Sequence, residues 1–440
     1  MLLIILINLV FILNFNKGIE LTDESFRILS ILHSNNIIGR FSNFGFVGEI
    51  FFNLINDNLF FYRIAGFILL LFSSTIACIS FNIFSNHQSK NLFDNYSLIF
   101  LTALSGSFLF YKFWLITPAH DMYNVIGALL FFSGLCFQVK KNIYLIDSLS
   151  FFLIGIGILL TFINKPSTSI ILFGLFFIYN FFFHRVNFFQ NIIKFLIVLI
   201  LFFAIYIYFS YGNFKNFFYE LYIGYDFRVT WDPRYNPLTL FIFSTKVILR
   251  SVIDYWFIFL LQIFFCFFQK KNKYLEIILF LFPLLFSFFD NFNLIIASLF
   301  INILFWKNGF KLKNFFILIF ILIIVFFITF GTNTNVTKHL QYSSTFYLII
   351  TYYLLNFFSF IKIDKNIYFF LLILISILNN LYSNFYKPQR YDEVIFNQKF
   401  QIEIPNINGK IYVDEFTIDY SNKLNSIISK LPSNKNIKYL

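Results

Sequence analysis

The chain has 440 residues, of which 59% are hydrophobic and only 12% are charged, and its mean hydropathy is +0.76. A soluble globular protein carries about 25% charged residues and needs polar groups over much of its surface, so this composition excludes a soluble chain. The net charge of +12 would suggest nucleic-acid binding in a soluble protein, but in a membrane protein it reflects basic loops on one side, and no nucleic-acid partner is expected.

A membrane-spanning helix needs roughly 20 apolar residues, with a working range of about 17–25. The apolar segments predict an all-α polytopic membrane protein with about thirteen transmembrane helices. The predicted spans are residues 2–15, 59–84, 97–115, 123–139, 144–162, 168–183, 191–210, 250–268, 275–289, 292–306, 314–330, 343–361 and 367–384. The first has the length of a signal-peptide core, but no small-residue cleavage site follows, so we expect it to remain as an anchor.

Alternate loops between these spans are basic, whereas the opposite set carries most of the acidic loop residues. Cytoplasmic loops are enriched in Lys and Arg, so the amino terminus is predicted to be cytoplasmic. After an odd number of crossings the carboxy terminus would face the periplasm or exterior, together with the site, most simply at a bacterial inner (plasma) membrane. The basic set is Lys90, Lys140, Lys141, Arg185, Lys270, Lys271, Lys273, Lys307, Lys311, Lys313, Lys362 and Lys365.

The chain divides by composition into a multi-pass transmembrane domain, residues 1–384, and a small external domain, residues 385–440. The transmembrane domain is predicted to carry two long external loops, 16–58 and 211–249.

The external domain has its own pattern. From Lys399 to Tyr412 polar and apolar residues alternate as in paired strands, with Asn408-Gly409 as the turn. Apolar residues then recur at helical spacing over 416–431. The sequence therefore predicts a small α+β cap.

The first external loop begins with two adjacent carboxylates, Asp23 and Glu24, followed by Arg27. Such a pair just past a membrane helix can supply a base or a metal ligand. The alternative is an ordinary helix start, with Thr22 as N-cap and the acidic residues interacting favourably with the helix dipole.

The second external loop places His120 beside Asp121 at the mouth of two membrane helices. An imidazole next to a carboxylate suits metal binding or proton transfer, although Pro118 and Asp121 could instead act as helix-start residues. In the next external turn Lys165 sets a cation at the membrane surface, where its alternative role is that of a snorkelling lysine.

The loop 211–249 contains Arg228 and Arg234 among Tyr and Trp residues. Arginine forks suit phosphate oxygens and flat aromatic rings suit sugar faces, but an aromatic belt at the lipid headgroups would have the same composition. His339 lies in a later external loop rich in hydrogen-bonding side chains.

Four short motifs occur in order on the predicted external side: Thr22-Asp23-Glu24-Ser25-Phe26, Tyr62-Arg63-Ile64-Ala65-Gly66, Ala119-His120-Asp121-Met122-Tyr123 and Asn164-Lys165-Pro166-Ser167. Together with the whole predicted topology they resemble the GT-C superfamily of membrane glycosyltransferases, which includes protein O-mannosyltransferase-like and aminoarabinose-transferase-like enzymes. Aminoarabinose transferases usually follow the first motif with a Lys-Pro-Pro stretch, which is missing here, so the subfamily, the sugar donor and the acceptor stay open.

The resemblance implies transfer of a sugar from a polyprenyl-phosphate carrier to a lipid, glycan or protein acceptor on the non-cytoplasmic face, by a single displacement with inversion. It implies Asp23 as general base, with Glu24, His120 and Asp121 orienting that base or holding a divalent metal. Oxygen ligands alone would suit Mg or Mn, and His120 would also admit Zn. The candidate substrate ligands, chosen by charge and predicted side, are Arg27, Lys165, Arg228, Arg234 and His339.

Two other functions stay open. An O-antigen polymerase or ligase would also use lipid-linked glycans and would depend on the Arg-containing loop 211–249. A flippase or transporter would place ionisable groups near the bilayer midplane, whereas most predicted spans have uncharged centres, with Arg250 and Asp254 as the main exceptions. This distribution favours a reaction on one face of the membrane.

Overall fold

The computed structural model describes residues 2–19, 23–33, 42–88, 96–112, 116–138, 144–231, 237–268, 273–288, 292–305, 312–329, 341–357, 364–383, 397–404 and 406–428. Its α-helices are α1 (Leu2–Leu13), α2 (Asp23–Leu32), α3 (Phe44–Leu54), α4 (Leu59–Gln88), α5 (Tyr96–Phe110), α6 (His120–Phe137), α7 (Tyr144–Asn164), α8 (Pro166–Phe183), α9 (Phe188–Tyr211), α10 (Phe214–Trp231), α11 (Pro237–Ile253), α12 (Trp256–Phe268), α13 (Lys273–Phe288), α14 (Phe292–Phe305), α15 (Leu312–Thr329), α16 (Ser344–Leu355), α17 (Lys365–Leu381) and α18 (Glu415–Ile428).

The protein is mostly helical, and every predicted span overlaps a helix. Within the described part of the chain, five helical segments are long and apolar enough to cross a membrane; the other helices that overlap predicted spans are shorter or are described over a shorter apolar stretch. The membrane character is therefore supported, while the count of thirteen crossings stays a prediction. The five segments are Leu59–Ser85, His120–Phe137, Leu145–Asn164, Pro166–Phe183 and Arg185–Tyr211.

Both regions predicted as long loops contain helices. The first carries α2 and α3, and the second is largely covered by α10 and α11. Helix α11 runs on to Ile253, so the helix that covers most of the predicted span 250–268 begins at Trp256. Polar residues such as Lys215 and Glu220 interrupt the apolar sequence and argue against a membrane span, but they do not prevent a helix.

Helix α6 lies at the centre of the bundle, with every residue from Asp121 to Phe137 buried. It crosses α7 at two facing glycines. A Cβ atom added to Gly127 would lie 2.8 Å from the carbonyl oxygen of Gly157, and one added to Gly157 would lie 2.6 Å from that of Gly127. Small residues at such crossings let helix backbones approach closely in membranes, where the hydrophobic effect does not drive helices together.

The predicted cap is confirmed as a hairpin followed by a helix. Strands β1 (Phe400–Ile402) and β2 (Ile411–Val413) pair antiparallel, with Phe400 opposite Val413. The connection includes Gly409 with φ of +105°, a value that glycine adopts readily. Helix α18 follows, as the spacing of apolar residues predicts.

The cap docks against the chain segments that follow α1 and precede α4. The amide of Gly18 donates to the Tyr412 carbonyl at 2.8 Å, and the amide of Tyr412 donates to the Asn16 carbonyl at 2.9 Å. Beneath these bonds lies an apolar group of side chains that we call the cap cluster. Its buried members are Ile19, Ile28, Ile31, Phe52, Leu59, Tyr62, Ile411 and Val413.

Candidate functional site

Polar side chains from segments far apart in sequence meet at the end of the bundle where α1 ends. The Nη2 atom of Arg27 lies 3.4 Å from Oδ2 of Asp121, and its Nη1 atom donates to the Thr117 carbonyl at 3.4 Å. Both side chains of this ion pair keep slight exposure, 8% for Arg27 and 11% for Asp121. The residue that follows the first motif thus contacts the third motif and the segment just before it.

His120 completes the environment of Asp121. Its Nε2 atom lies 3.3 Å from Oδ1 of Asp121, and its side chain is 38% exposed, so it is the most accessible polar group of this pairing. The ring of Phe44, at the start of α3, lies 5.5 Å from the imidazole. Asp121 therefore has the Arg27 guanidinium at one oxygen and the partly exposed His120 imidazole at the other.

Glu24 has a different environment. Its Oε1 atom accepts hydrogen bonds from Nη2 of Arg63 at 3.1 Å and from the Thr117 amide at 2.9 Å, and neither charged side chain is exposed. Arg63 also donates to the carbonyls of Phe15 at 2.7 Å and Gly18 at 2.8 Å, and to Oγ1 of Thr117 at 3.1 Å. The rigid arginine fork thereby fastens the end of α1, the start of α2 and the segment before α6 to one another.

The neighbours of Arg63 in the second motif support the same segment. The hydroxyl of Tyr62 lies 2.8 Å from the hydroxyl of Tyr123. It also donates to the Pro118 carbonyl at 3.4 Å. A Cβ atom on Gly66 would lie 2.4 Å from Cγ of Pro118, so the ring of Pro118 packs directly on the glycine backbone. The motif at residues 62–66 thus shapes the approach to His120 and Asp121.

Lys165, a predicted phosphate ligand, donates from Nζ to the Ile328 carbonyl at 3.0 Å. Asn124 donates to the same oxygen at 3.0 Å, and Oγ1 of Thr168 donates to the Phe327 carbonyl at 2.9 Å. These carbonyls belong to the last turn of α15, where a helix has no partners of its own and a cation is favourable. The structure therefore places Lys165 at a helix C-terminus.

The fourth motif also contacts the segment between α2 and α3. Oγ of Ser42 donates to the Asn164 carbonyl at 2.7 Å, and the Asn43 amide donates to the Ile163 carbonyl at 2.7 Å. Nδ2 of Asn43 donates a hydrogen bond to the hydroxyl of Tyr206 at 3.2 Å. All four motifs consequently lie at one end of the bundle, as predicted from their shared side.

Several predicted site residues lie wholly or partly outside the described residues. Asp23 is the first residue of α2, beside Glu24 and one turn before Arg27, but its side chain is not among those described. Arg228 lies in α10, and its side chain is likewise not among those described. Outside the described residues altogether are Thr22, Arg234 and His339.

The structure brings together some of the residues predicted to hold a metal. Within the described ranges, no three His, Cys, Asp or Glu side chains gather around one point. His120 and Asp121 are adjacent, but the described carboxylate contacts of Glu24 are with Arg63 and Thr117. A divalent metal at these residues therefore stays a prediction.

Arg63, Tyr62 and Thr117 are site residues for which the sequence predicts no role. A signal for Arg63 was present, because an arginine at the edge of an otherwise apolar span is costly and needs partners. The positions of Tyr62 and Thr117 follow from tertiary contacts that no local pattern encodes.

The chain matches no protein-family model, no curated protein and no solved structure. The GT-C resemblance therefore rests on the sequence motifs and the predicted topology alone.

Proposed function

We propose that this protein is an integral-membrane glycosyltransferase that moves a sugar from a polyprenyl-phosphate carrier to a lipid, glycan or protein acceptor. In this proposal the chain crosses the membrane thirteen times in a GT-C-like arrangement. The end that carries the four motifs and the cap faces the non-cytoplasmic side, as the basic loops predict. The carrier's lipid tail stays in the bilayer while its phosphate and sugar reach this end.

One observation supports the proposal above the others: the chain segments that carry the two acidic motifs, distant in sequence, are in contact. Arg27 pairs with Asp121, and Glu24 binds the Thr117 amide. Charged groups at the edge of a membrane bundle are expensive unless paired, and their concentration at one end marks a functional site by default. A one-sided site of this kind suits a transfer reaction better than passage through the membrane.

The contacts refine the roles that the sequence suggested. Asp23 is the proposed general base, because it starts the helix whose next residues reach Thr117 and Asp121. Asp121, held by Arg27 and flanked by the exposed His120, is proposed to orient the acceptor. Glu24 is proposed as a structural anchor, since its side chain is fully buried against Arg63.

The proposed reaction is a single displacement. The acceptor hydroxyl oxygen attacks the anomeric carbon of the sugar from the side opposite the carrier phosphate. The bond between that carbon and the phosphate oxygen breaks, and its electron pair leaves on the phosphate. The hydroxyl proton passes to the Asp23 carboxylate, while the positive charges of Arg27 and Lys165 at this end stabilise the leaving phosphate electrostatically.

The test compares lipid-linked glycans, by mass spectrometry, in cells with and without the protein. We expect one polyprenyl-phosphate sugar to accumulate when the protein is lost, and one acceptor to lose that sugar. The purified protein should then transfer the sugar in detergent micelles, where no second membrane side exists and a flippase would have no activity. Unchanged glycans in the cells, or no transfer of the accumulated sugar in micelles, would contradict the proposal.

A further inference from the structure

One face of α2 is shared between the candidate site and the cap. Glu24 and Arg27, in its first half, contact the segment around Thr117 and Asp121. Ile28 and Ile31, in its second half, belong to the cap cluster. Residues at spacings of three and four lie on the same side of a helix, so a single face of α2 touches both structures.

Tyr62 connects the same two structures from α4. Its ring is packed in the cap cluster, edge-on to Phe52 with 5.4 Å between ring centroids, and is 1% exposed. Its hydroxyl contacts the Tyr123 hydroxyl in α6. A Cβ atom on Gly48 would lie 2.8 Å from Cγ1 of Ile31 and 3.0 Å from that hydroxyl, so α3 closes tightly over both residues.

The main chain of the cap binds the body at two places. One is the end of α1, through Tyr412. The other is the turn before α4, where the amide of Asn408 donates to the Asp57 carbonyl at 2.8 Å and its side chain to the Asn56 carbonyl at 2.7 Å. Helices α2 and α3 lie between these two points in the chain, so the cap fixes both ends of the segment that carries the first motif.

Helix α2 needs such external support because it is only ten residues long. Isolated helices shorter than about 12–15 residues are marginal in water, and most helical stability in proteins comes from packing of one face. The two halves of the α2 face are therefore expected to stabilise each other, and loosening the cap should also loosen Glu24 and Arg27.

We propose that the C-terminal cap is a positioning element of the site, with Ile411, Val413 and Tyr62 holding α2 where Glu24 and Arg27 reach Thr117 and Asp121. The site is thus assembled from both ends of the chain. The physical part of this proposal stands independently, whereas its effect on catalysis rests on the proposed glycosyl transfer.

A cysteine-accessibility experiment tests the physical part. The native cysteines Cys78, Cys136 and Cys266 are all buried. Ser30→Cys therefore places a specific reporter on α2 at a position that is 3% exposed and should react slowly with a water-soluble maleimide. Adding Val413→Ser, which removes a buried apolar side chain from the cap cluster, should speed labelling about tenfold or more.

Two controls separate positioning from general damage. Gln401→Ser introduces the same side chain on the exposed side of the same hairpin and should leave labelling of Ser30→Cys unchanged. Val413→Ile keeps the site apolar and should preserve protection. If Val413→Ser fails to fold, Ile411→Ala tests the same contact. Equal labelling in the Gln401→Ser variant and in a folded Val413→Ser or Ile411→Ala variant would overturn the positioning role.

Transfer kinetics test the catalytic part. Val413→Ser should lower kcat with little change in the donor KM, and Val413→Ile should restore it. Tyr62→Phe keeps the ring in the cap cluster but removes the hydroxyl contact, so it should preserve protection of Ser30→Cys while lowering kcat roughly 2- to 10-fold. Faster labelling with unchanged kcat would overturn the link to catalysis. Faster labelling in a protein whose native form transfers no sugar would support the positioning role of the cap and overturn the proposed function.

Discussion

Two ion pairs lie at the same end of the bundle, and they are built differently. Arg63 and Glu24 are 3.1 Å apart with neither side chain exposed, whereas Arg27 and Asp121 are 3.4 Å apart with 8% and 11% exposure. Desolvating two charges costs several kcal/mol, which only good geometry and additional hydrogen bonds offset. The inner pair has those bonds from main-chain carbonyls and Thr117, while the outer pair adjoins the accessible His120.

The difference indicates that the inner pair serves folding and the outer pair serves the proposed reaction. The inner pair cannot contact a substrate, because neither of its side chains is exposed to solvent. Its arginine instead holds three chain segments together. The outer pair keeps slight exposure, and the partly exposed imidazole of His120 lies beside its carboxylate. Substitutions at the inner pair should therefore change folding first, and substitutions at the outer pair should change transfer first.

The largest loss of stability is expected for Arg63→Met. It removes the buried group that donates to the Glu24 carboxylate and to the carbonyls of Phe15 and Gly18, which should cost about 3–5 kcal/mol. Yield and thermal unfolding in detergent measure the effect. Arg27→Met, on the outer pair, is the matched control and should cost clearly less. Equal losses would remove the distinction between the two pairs.

A smaller loss is expected for Gly66→Ala. Its new methyl group would meet Cγ of Pro118 at 2.4 Å and Cε of Met122 at 3.0 Å, and overpacking of this kind costs about 1–3 kcal/mol. Gly174→Ala in α8 is the control, because open space surrounds that position and alanine favours a helix. Thermal unfolding should shift in opposite directions for the two variants, and a shared direction would contradict the close contact with Pro118.

Asp121→Asn should reduce stability by only about 1 kcal/mol, since the amide keeps the size of the carboxylate and loses one charge-assisted contact. Its effect on transfer should be larger, up to about 100-fold, because a misoriented acceptor reacts slowly. Parallel unfolding and rate measurements decide the matter. A variant that unfolds readily but transfers normally when folded would assign Asp121 to structure, like Glu24.

The smallest effect is expected from a metal chelator. Because the Glu24 carboxylate binds Arg63 and the Thr117 amide, EDTA should leave the transfer rate unchanged. A rate that falls with EDTA and returns with Mg, Mn or Zn would show a metal site whose ligands include residues other than Glu24.

The sequence predicts the helical membrane character, the hairpin and helix of the cap, and a shared side of the membrane for the four motifs. The first two are confirmed, and the structure places the motifs at one end of the bundle, while the membrane side that this end faces stays a prediction. These features depend on apolar length, alternation and loop charge, which are local properties. It did not separate Glu24 from Asp121, because two carboxylates in acidic motifs look alike until their partners are known. Arg63 reaches both α2 and the segment before α6 only through the folded bundle, so no spacing in the chain could predict its partners.

The helices in 211–249 were missed for a related reason. In the membrane domain, helices are predicted only where an apolar run is long enough to span a membrane, and residues 211–249 have mixed polarity. A helix needs only local backbone hydrogen bonds and suitable side chains, so its formation does not depend on that length.

The most direct test of the account is the transfer rate of Asp23→Asn in purified protein reconstituted in lipid nanodiscs. Asp147→Asn is the matched control, because Asp147 is paired with Lys194, away from the four motifs. Loss of a general base should slow transfer about 10²–10⁴-fold while donor binding and unfolding temperature stay near those of the control. Transfer by Asp23→Asn at the rate of Asp147→Asn would contradict the proposed base.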